Sequence, residues 1–147
     1  MAEPDVLLRR QYSGWEGARL IVRGWHFWLL VAIAVITIFS GLVQVIVPGR
    51  ELRLLSAEAT PTSEHFFAIV GMFMVLFGGA FLHALCSPVH HPIVVFWASL
   101  QKFGASGAVG LGVLHHVFSP LALLVAAFDL ASGILGIWYW RKIRSGP

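Results

Sequence analysis

Residues 92–114, PIVVFWASLQKFGASGAVGLGVL, and residues 121–140, LALLVAAFDLASGILGIWYW, are two long apolar runs. Each is interrupted near its middle by a single charge, Lys102 in the first and Asp129 in the second. A charge at the centre of a bilayer costs roughly 2.5–3.5 kcal/mol even on lenient insertion scales. The economical account is that these two hold each other there. The runs are joined by a short turn around Phe118, Ser119 and Pro120, which makes them antiparallel neighbours. At about 1.5 Å of rise per residue, Lys102 lies roughly 15 Å in from Pro92 and Asp129 roughly 12 Å in from Leu121, on helices running opposite ways. Both depths meet near the middle of a hydrocarbon core about 30 Å thick.

Composition supports the membrane setting. Of the 147 residues 58% are hydrophobic and only 12% charged, about half the charge of a soluble domain, and the mean hydropathy is +0.81. Four stretches are long enough to cross a bilayer: 25–48, 66–86, 92–114 and 121–140. The expected architecture is an all-α integral membrane four-helix bundle over 25–140, with a cytoplasmic interfacial segment at 1–24 and a basic cytoplasmic tail at 141–147. The acidic and mixed start, MAEPDVLLRRQYSGWEGARL, does not read as a cleaved signal, so the first span is expected to stay as an anchor.

Orientation follows the basic residues. Arg9, Arg10, Arg19 and Arg23 precede the first span and Arg141, Lys142 and Arg144 follow the last, against Arg50 and Arg53 in the loop 49–65. Both termini are therefore expected in the cytoplasm of a bacterial inner membrane. Trp25, Trp28, Trp97, Trp138 and Trp140 fall toward that same interface as an aromatic belt. Before the first span, Leu8, Tyr12, Trp15 and Val22 recur at helical spacing among arginines. Two readings stand: a short helix lying on anionic lipid, or a tail that simply obeys the positive-inside rule. The pI of about 9.6 fits either, and no aromatic-basic motif points to nucleic acid as a partner.

Asp129, Ser132, Gly133 and Gly136 share one helix face, which should pack inward. Gly104, Ala108 and Gly112 form a small-xxx-small ladder continued by His116, expected to admit another helix closely. Thr37, Ser40, Gly41 and Gln44 make a polar stripe on the first span. These faces read either as plain packing or as the lining of a cavity, and the Lys102–Asp129 pair reads either as architecture or as a site. In the second case Asp129 and Lys102 are the catalytic candidates, and Gln44, Ser40, Gln101 and Ser132 are the ligand-binding candidates.

The chain holds seven histidines. His26, His83, His90 and His91 belong near the cytoplasmic face; His65, His115 and His116, with Glu64 beside them, belong near the outer one. Imidazole and carboxylate donors suit Zn, Cu or Fe, so His115, His116, His65 and Glu64 are metal candidates, although no spaced ligand motif backs them and adjacent histidines at a membrane boundary also serve as polar residues. A haem between His26 and His83 is disfavoured by their shallow depth. With Cys86 as the single cysteine, an internal disulfide and a dithiol redox pair are excluded.

The phrases FSGLVQVIVPGRELRLL, SEHFFAIVGMFMVLFGGAFL, HPIVVFWASLQKFGASG and FDLASGILGIWYW together resemble the DoxX-like group of small four-helix bacterial membrane proteins, over about Trp25 to Trp140. The resemblance rests on hydrophobic patterns with a few anchors: the Pro-Gly exit of the first span, the glycines of the second, the lysine of the third and the aspartate of the fourth. It implies a compact bundle attached to a redox enzyme, with the founding members associated with sulfur oxidation and quinone reduction. It assigns no catalytic residues, and the His-rich ends and basic N-terminus depart from it.

Three functions follow as expectations. The first is an accessory or lipophilic-ligand-binding subunit of a larger inner-membrane, redox- or quinone-linked assembly, with lipid or quinone filling its gaps and partner chains or a second copy against its faces. The second is an intramembrane isomerase or cyclase in which Asp129 acts as general acid or base beside Lys102. The third, proton-coupled transport, lacks the inverted repeat such carriers show.

Overall fold

A computed structural model describes residues 24–145; the candidate interfacial helix on Leu8, Tyr12, Trp15 and Val22 lies outside them. The described residues are all-helical: α1 Trp25–Ile46, α2 Pro48–Leu54, α3 Pro61–Cys86, α4 Pro92–Leu114 and α5 Ala122–Arg144. Three of these, α1, α3 and α5, are long and apolar enough to cross a membrane. At 23 residues α4 has the length, but Gln101 and Lys102, with its serines and glycines, interrupt its apolar run, so that its most apolar stretch falls short of those of α1, α3 and α5.

Local chemistry explains where the helices begin and end, and corrects three expected boundaries. The first span stops at Ile46 instead of running to 48, because Pro48 has no N–H to continue the ladder and instead starts α2 at its first position. The segment read as an exit loop is thus a short helix. The second long helix begins at Pro61, not 66: Thr60 Oγ1 accepts from Ser63 N at 3.2 Å while Ser63 Oγ accepts from Thr60 N at 2.8 Å, a reciprocal capping box. At the far end α5 continues through Arg141, Lys142 and Arg144, where cations favour the negative end of the helix dipole. Most of the residues read as a tail are therefore its last turn.

The long helices form two antiparallel pairs. In the first, α1 and α3 meet backbone to backbone. A β-carbon on Gly41 would lie 2.6 Å from the carbonyl oxygen of Gly71, and one on Gly71 would lie 2.6 Å from that of Gly41. Seven residues away on each helix, Gly78 faces Ala34 and Ile38. In the second pair, α4 and α5, Gly136 receives Ser99 and Gly133 receives the ring of Phe103. A single buried cluster joins the pairs, drawing Leu30, Ile33 and Ala34 from α1, Phe81 and Leu85 from α3, Val95 and Ala98 from α4, and Tyr139 from α5. All of these lie toward one end of the helices, the end that carries Trp25, Trp28, Trp97, Trp138 and Trp140.

The expected ladder on α4 does not form a helix–helix seam. A β-carbon on Gly104 would meet nothing within 4 Å, and Gly112 is covered by the ring of Phe118 from the following turn; Ala108 is exposed. The close approach falls on Gly41 and Gly71 because that is where opposing residues on both helices lack a side chain.

Gly71→Val should force α1 and α3 apart, since neither carbonyl can retreat, and lower thermal stability in detergent by about 1–3 kcal/mol, the usual range for overpacking. Gly107→Ala, where a β-carbon meets nothing, should leave the melting temperature unchanged or raise it. Melting of the two variants side by side checks the assignment.

Candidate functional site

Lys102 on α4 and Asp129 on α5 meet as the spacing requires: Lys102 Nζ donates to Asp129 Oδ1 at 2.6 Å. Lys102 is 7% exposed and Asp129 5%, so the pair is desolvated and must be nearly self-sufficient. Lys102 Nζ also stands 5.4 Å from the centroid of Phe128, a favourable place for a cation. The inward face of α5 is as expected, with Asp129, Ser132, Gly133 and Gly136 all buried. Its small residues let α4 come close enough for a lysine to end on a carboxylate rather than bend back toward an interface.

The hydroxyls around the pair are spent on their own helices. Thr37 Oγ1 donates to Ile33 O at 2.8 Å, Ser99 Oγ to Val95 O at 2.7 Å and Ser132 Oγ to Phe128 O at 2.7 Å. Each bond follows the i to i−4 pattern by which buried hydroxyls avoid an unsatisfied donor in an apolar interior.

Two spaces flank the pair. On the side away from the tryptophan end lies a cavity of about 380 Å³, within the size range of small-molecule sites. Lys102 and Asp129 form part of its wall, and Thr37, Ser40 and Gln44 run along α1 as a polar strip leading to Glu51 of α2. The remaining lining is apolar, including Phe67, Met74, Val125 and Phe128. The second space is about 10 Å³ and lies toward the tryptophan end, bordered by Lys102, Thr37, Ser99, Gln101 and Ser132. It has room for about one water molecule. Lys102 therefore partitions a large cavity from a small void.

The ligand candidates divide accordingly. Ser40 and Gln44 share the large cavity with Lys102 and Asp129; Gln101 and Ser132 border the small void instead. Gln44 Oε1 is buried without a hydrogen-bond partner, an energetic liability of about 1–3 kcal/mol unless something else supplies a donor. Glu51 was not singled out in the sequence, because α2 read as a loop. Burial pushes its carboxyl above the ordinary range. The signal for it was Pro48 followed three residues later by an acid, a helix start with a first-turn carboxylate.

The metal candidates are not gathered. Among the described residues no three His, Cys, Asp or Glu side chains come together. Glu64 turns toward Arg53, 3.9 Å away, and over Gly49. His65 lies edge-on to Phe66. His115 and His116 are both exposed, and His116 has a backbone role. With φ at 58° it is the left-handed residue of a Schellman cap, in which Val117 N donates to Gly112 O at 2.8 Å and His116 N to Val113 O at 3.1 Å. Ser56 closes α2 in the same way. The haem candidates are also unlike each other: the His26 ring is held against Trp25 and Trp138, whereas His83 is exposed.

Comparison with known proteins adds little. A stretch of 37 residues, 25% of the chain, is 49% identical to part of the phenazine N-monooxygenase of Lysobacter antibioticus, and it spans only 7% of that protein. No family model matches the sequence, and no solved structure matches it.

Asp129→Asn should strand a buried ammonium and destabilise the fold by about 3–5 kcal/mol, while Lys102→Met combined with Asp129→Leu should recover most of that loss. Unfolding of the single and double variants in mild detergent measures both. His116→Gly relieves a left-handed β-carbon worth about 1–2 kcal/mol, less the entropy glycine adds to the unfolded chain, so its melting temperature should rise.

Proposed function

We propose that the chain is a small polytopic membrane protein, resembling the DoxX-like group, that binds a lipophilic molecule and serves as an accessory subunit of a larger redox- or quinone-linked assembly in a bacterial inner membrane. In this reading α4 crosses the bilayer beside α1, α3 and α5, making four spans with both termini cytoplasmic. The support is that α4 packs lengthwise on α5 and that its one charge is neutralised by Asp129. The basic last turn of α5 adds support: Lys142 lies over Trp138 at 5.3 Å and Arg144 over Trp140 at 4.8 Å, a cation and aromatic girdle suited to a headgroup layer.

The observation that carries the binding function is the 380 Å³ cavity with a polar strip on one wall and apolar side chains on the others. An ion pair that served only to dock two helices would be best closed over, since packing voids cost stability. Here the pair borders the cavity, and Ser40 and Gln44 belong to the same lining. A lipophilic molecule with a polar head satisfies both the apolar lining and the polar strip.

A second reading, an intramembrane isomerase or cyclase, is favoured by the same contact. Asp129 and Lys102 are at once bonded to each other and part of the cavity wall, so a bound substrate meets an acid–base pair in a water-poor setting.

Purification from native membranes in gentle detergent, followed by native mass spectrometry, tests the proposal. The expected result is a lipophilic molecule retained by the wild type and lost from Val125→Trp, which narrows the cavity beside the pair, together with stoichiometric partner chains. A protein that emerges with neither ligand nor partner would sink the reading.

A further inference from the structure

Of the chain's two lysines, Lys142 is exposed and Lys102 is buried. Lys102 is thus the sole lysine amine in a dry setting, and it borders a cavity large enough for a small organic molecule. Its ammonium has three protons and gives one to Asp129; among the described residues no other acceptor takes the remaining two. A carboxylate 2.6 Å away is both a base for that ammonium and a counter-ion for whatever cation replaces it. Phe128, whose ring faces Lys102, and Val125 belong to the same apolar wall.

These features are the requirements of an imine-forming lysine: a desolvated amine, an adjacent proton acceptor and an apolar chamber that slows hydrolysis. The geometry points to a lipophilic aldehyde or ketone as the ligand of the cavity, captured by Lys102 as a protonated imine with Asp129 as its counter-ion. This deepens the ligand-binding function proposed above and rests on it.

The step balances without an oxidant or reductant. Asp129 takes a proton from the Lys102 ammonium, and the freed amine forms a bond to the carbonyl carbon. The carbonyl oxygen collects two protons, the C–O bond breaks, and water leaves. The nitrogen keeps one proton, so the iminium carries the positive charge that the ammonium carried and Asp129 returns to its carboxylate form. Carbonyl plus ammonium thus becomes iminium plus water, with the buried charge count unchanged. That equality lets a desolvated pair accept the reaction without a second buried charge. Polar ends other than a carbonyl cannot form this bond.

The experiment treats the full-length protein in detergent with decanal and cyanoborohydride, maps the reduced adducts by peptide mass spectrometry, and follows retention of decanal and decanol by native mass spectrometry. Lys102 should be alkylated at least about tenfold faster than Lys142, as a desolvated lysine beside a base against an exposed one. Lys102→Arg keeps the charge pair and cannot form an imine, so it should lose the adduct while melting as the wild type does. Val125→Trp should lose the adduct with the pair untouched, which keeps the test meaningful if the arginine variant folds poorly. Decanal and decanol both retained, with equal labelling of the two lysines, would overturn imine capture and leave the ligand-binding function standing. Neither probe retained would overturn both.

Discussion

An ammonium and a carboxylate 2.6 Å apart in the interior of an apolar chain decide which helices are neighbours and in what register. Neither charge can be left alone at that depth, since breaking such a pair costs about 3–5 kcal/mol. The α4–α5 hairpin has therefore few alternatives: sliding one helix by a turn would carry Lys102 about 5.4 Å from its partner. The register so fixed also sets Ser99 against Gly136 and Phe103 against Gly133. Those contacts let the helices approach closely enough for the short bond to form.

The α1–α3 pair uses a different constraint. It has no charge to align, and its register comes from steric fit, with Gly41 and Gly71 opposed and Gly78 against Ala34 and Ile38. In a bilayer the hydrophobic effect does not drive helices together, so close backbone approach is what helices gain from association. The two pairs are fastened at one end by the cluster that includes Leu30, Phe81, Val95 and Tyr139. A tie at the other end is the hydrogen bond from Ser119 N to Leu55 O at 2.8 Å, which links the α4–α5 turn to α2.

Between those ties lies the cavity. The buried cluster that joins the two pairs lies toward the tryptophan end, so the pairs meet there and leave the larger space between them in the other half. The consequence for function is that the buried pair sits at the boundary between tight packing and open volume. There the same two groups form part of the wall of the larger space, and Thr37, Ser40, Gln44 and Glu51 extend its polar lining.

The sequence alone determined the apolar long helices, the identity of the charged pair and the inward face of α5, because these rest on period, length and the cost of a lone charge in hydrocarbon. Thr60 to Ser63 and Pro48 also carried readable start signals, and the true boundaries follow them. Only the tertiary structure decided the rest. Gly104, Ala108 and Gly112 match a packing ladder as well as Gly41 does, but close approach needs a gap on the opposing helix, and one strand of sequence does not say what opposes it. His65, Glu64, His115 and His116 are near one another in expected depth, yet depth fixes only one coordinate, and α2, the capping of α4 and the splay of the helices set the other two. The cavity was beyond the sequence for the same reason: it is the volume that the packed helices fail to fill, and its position depends on how they lean together.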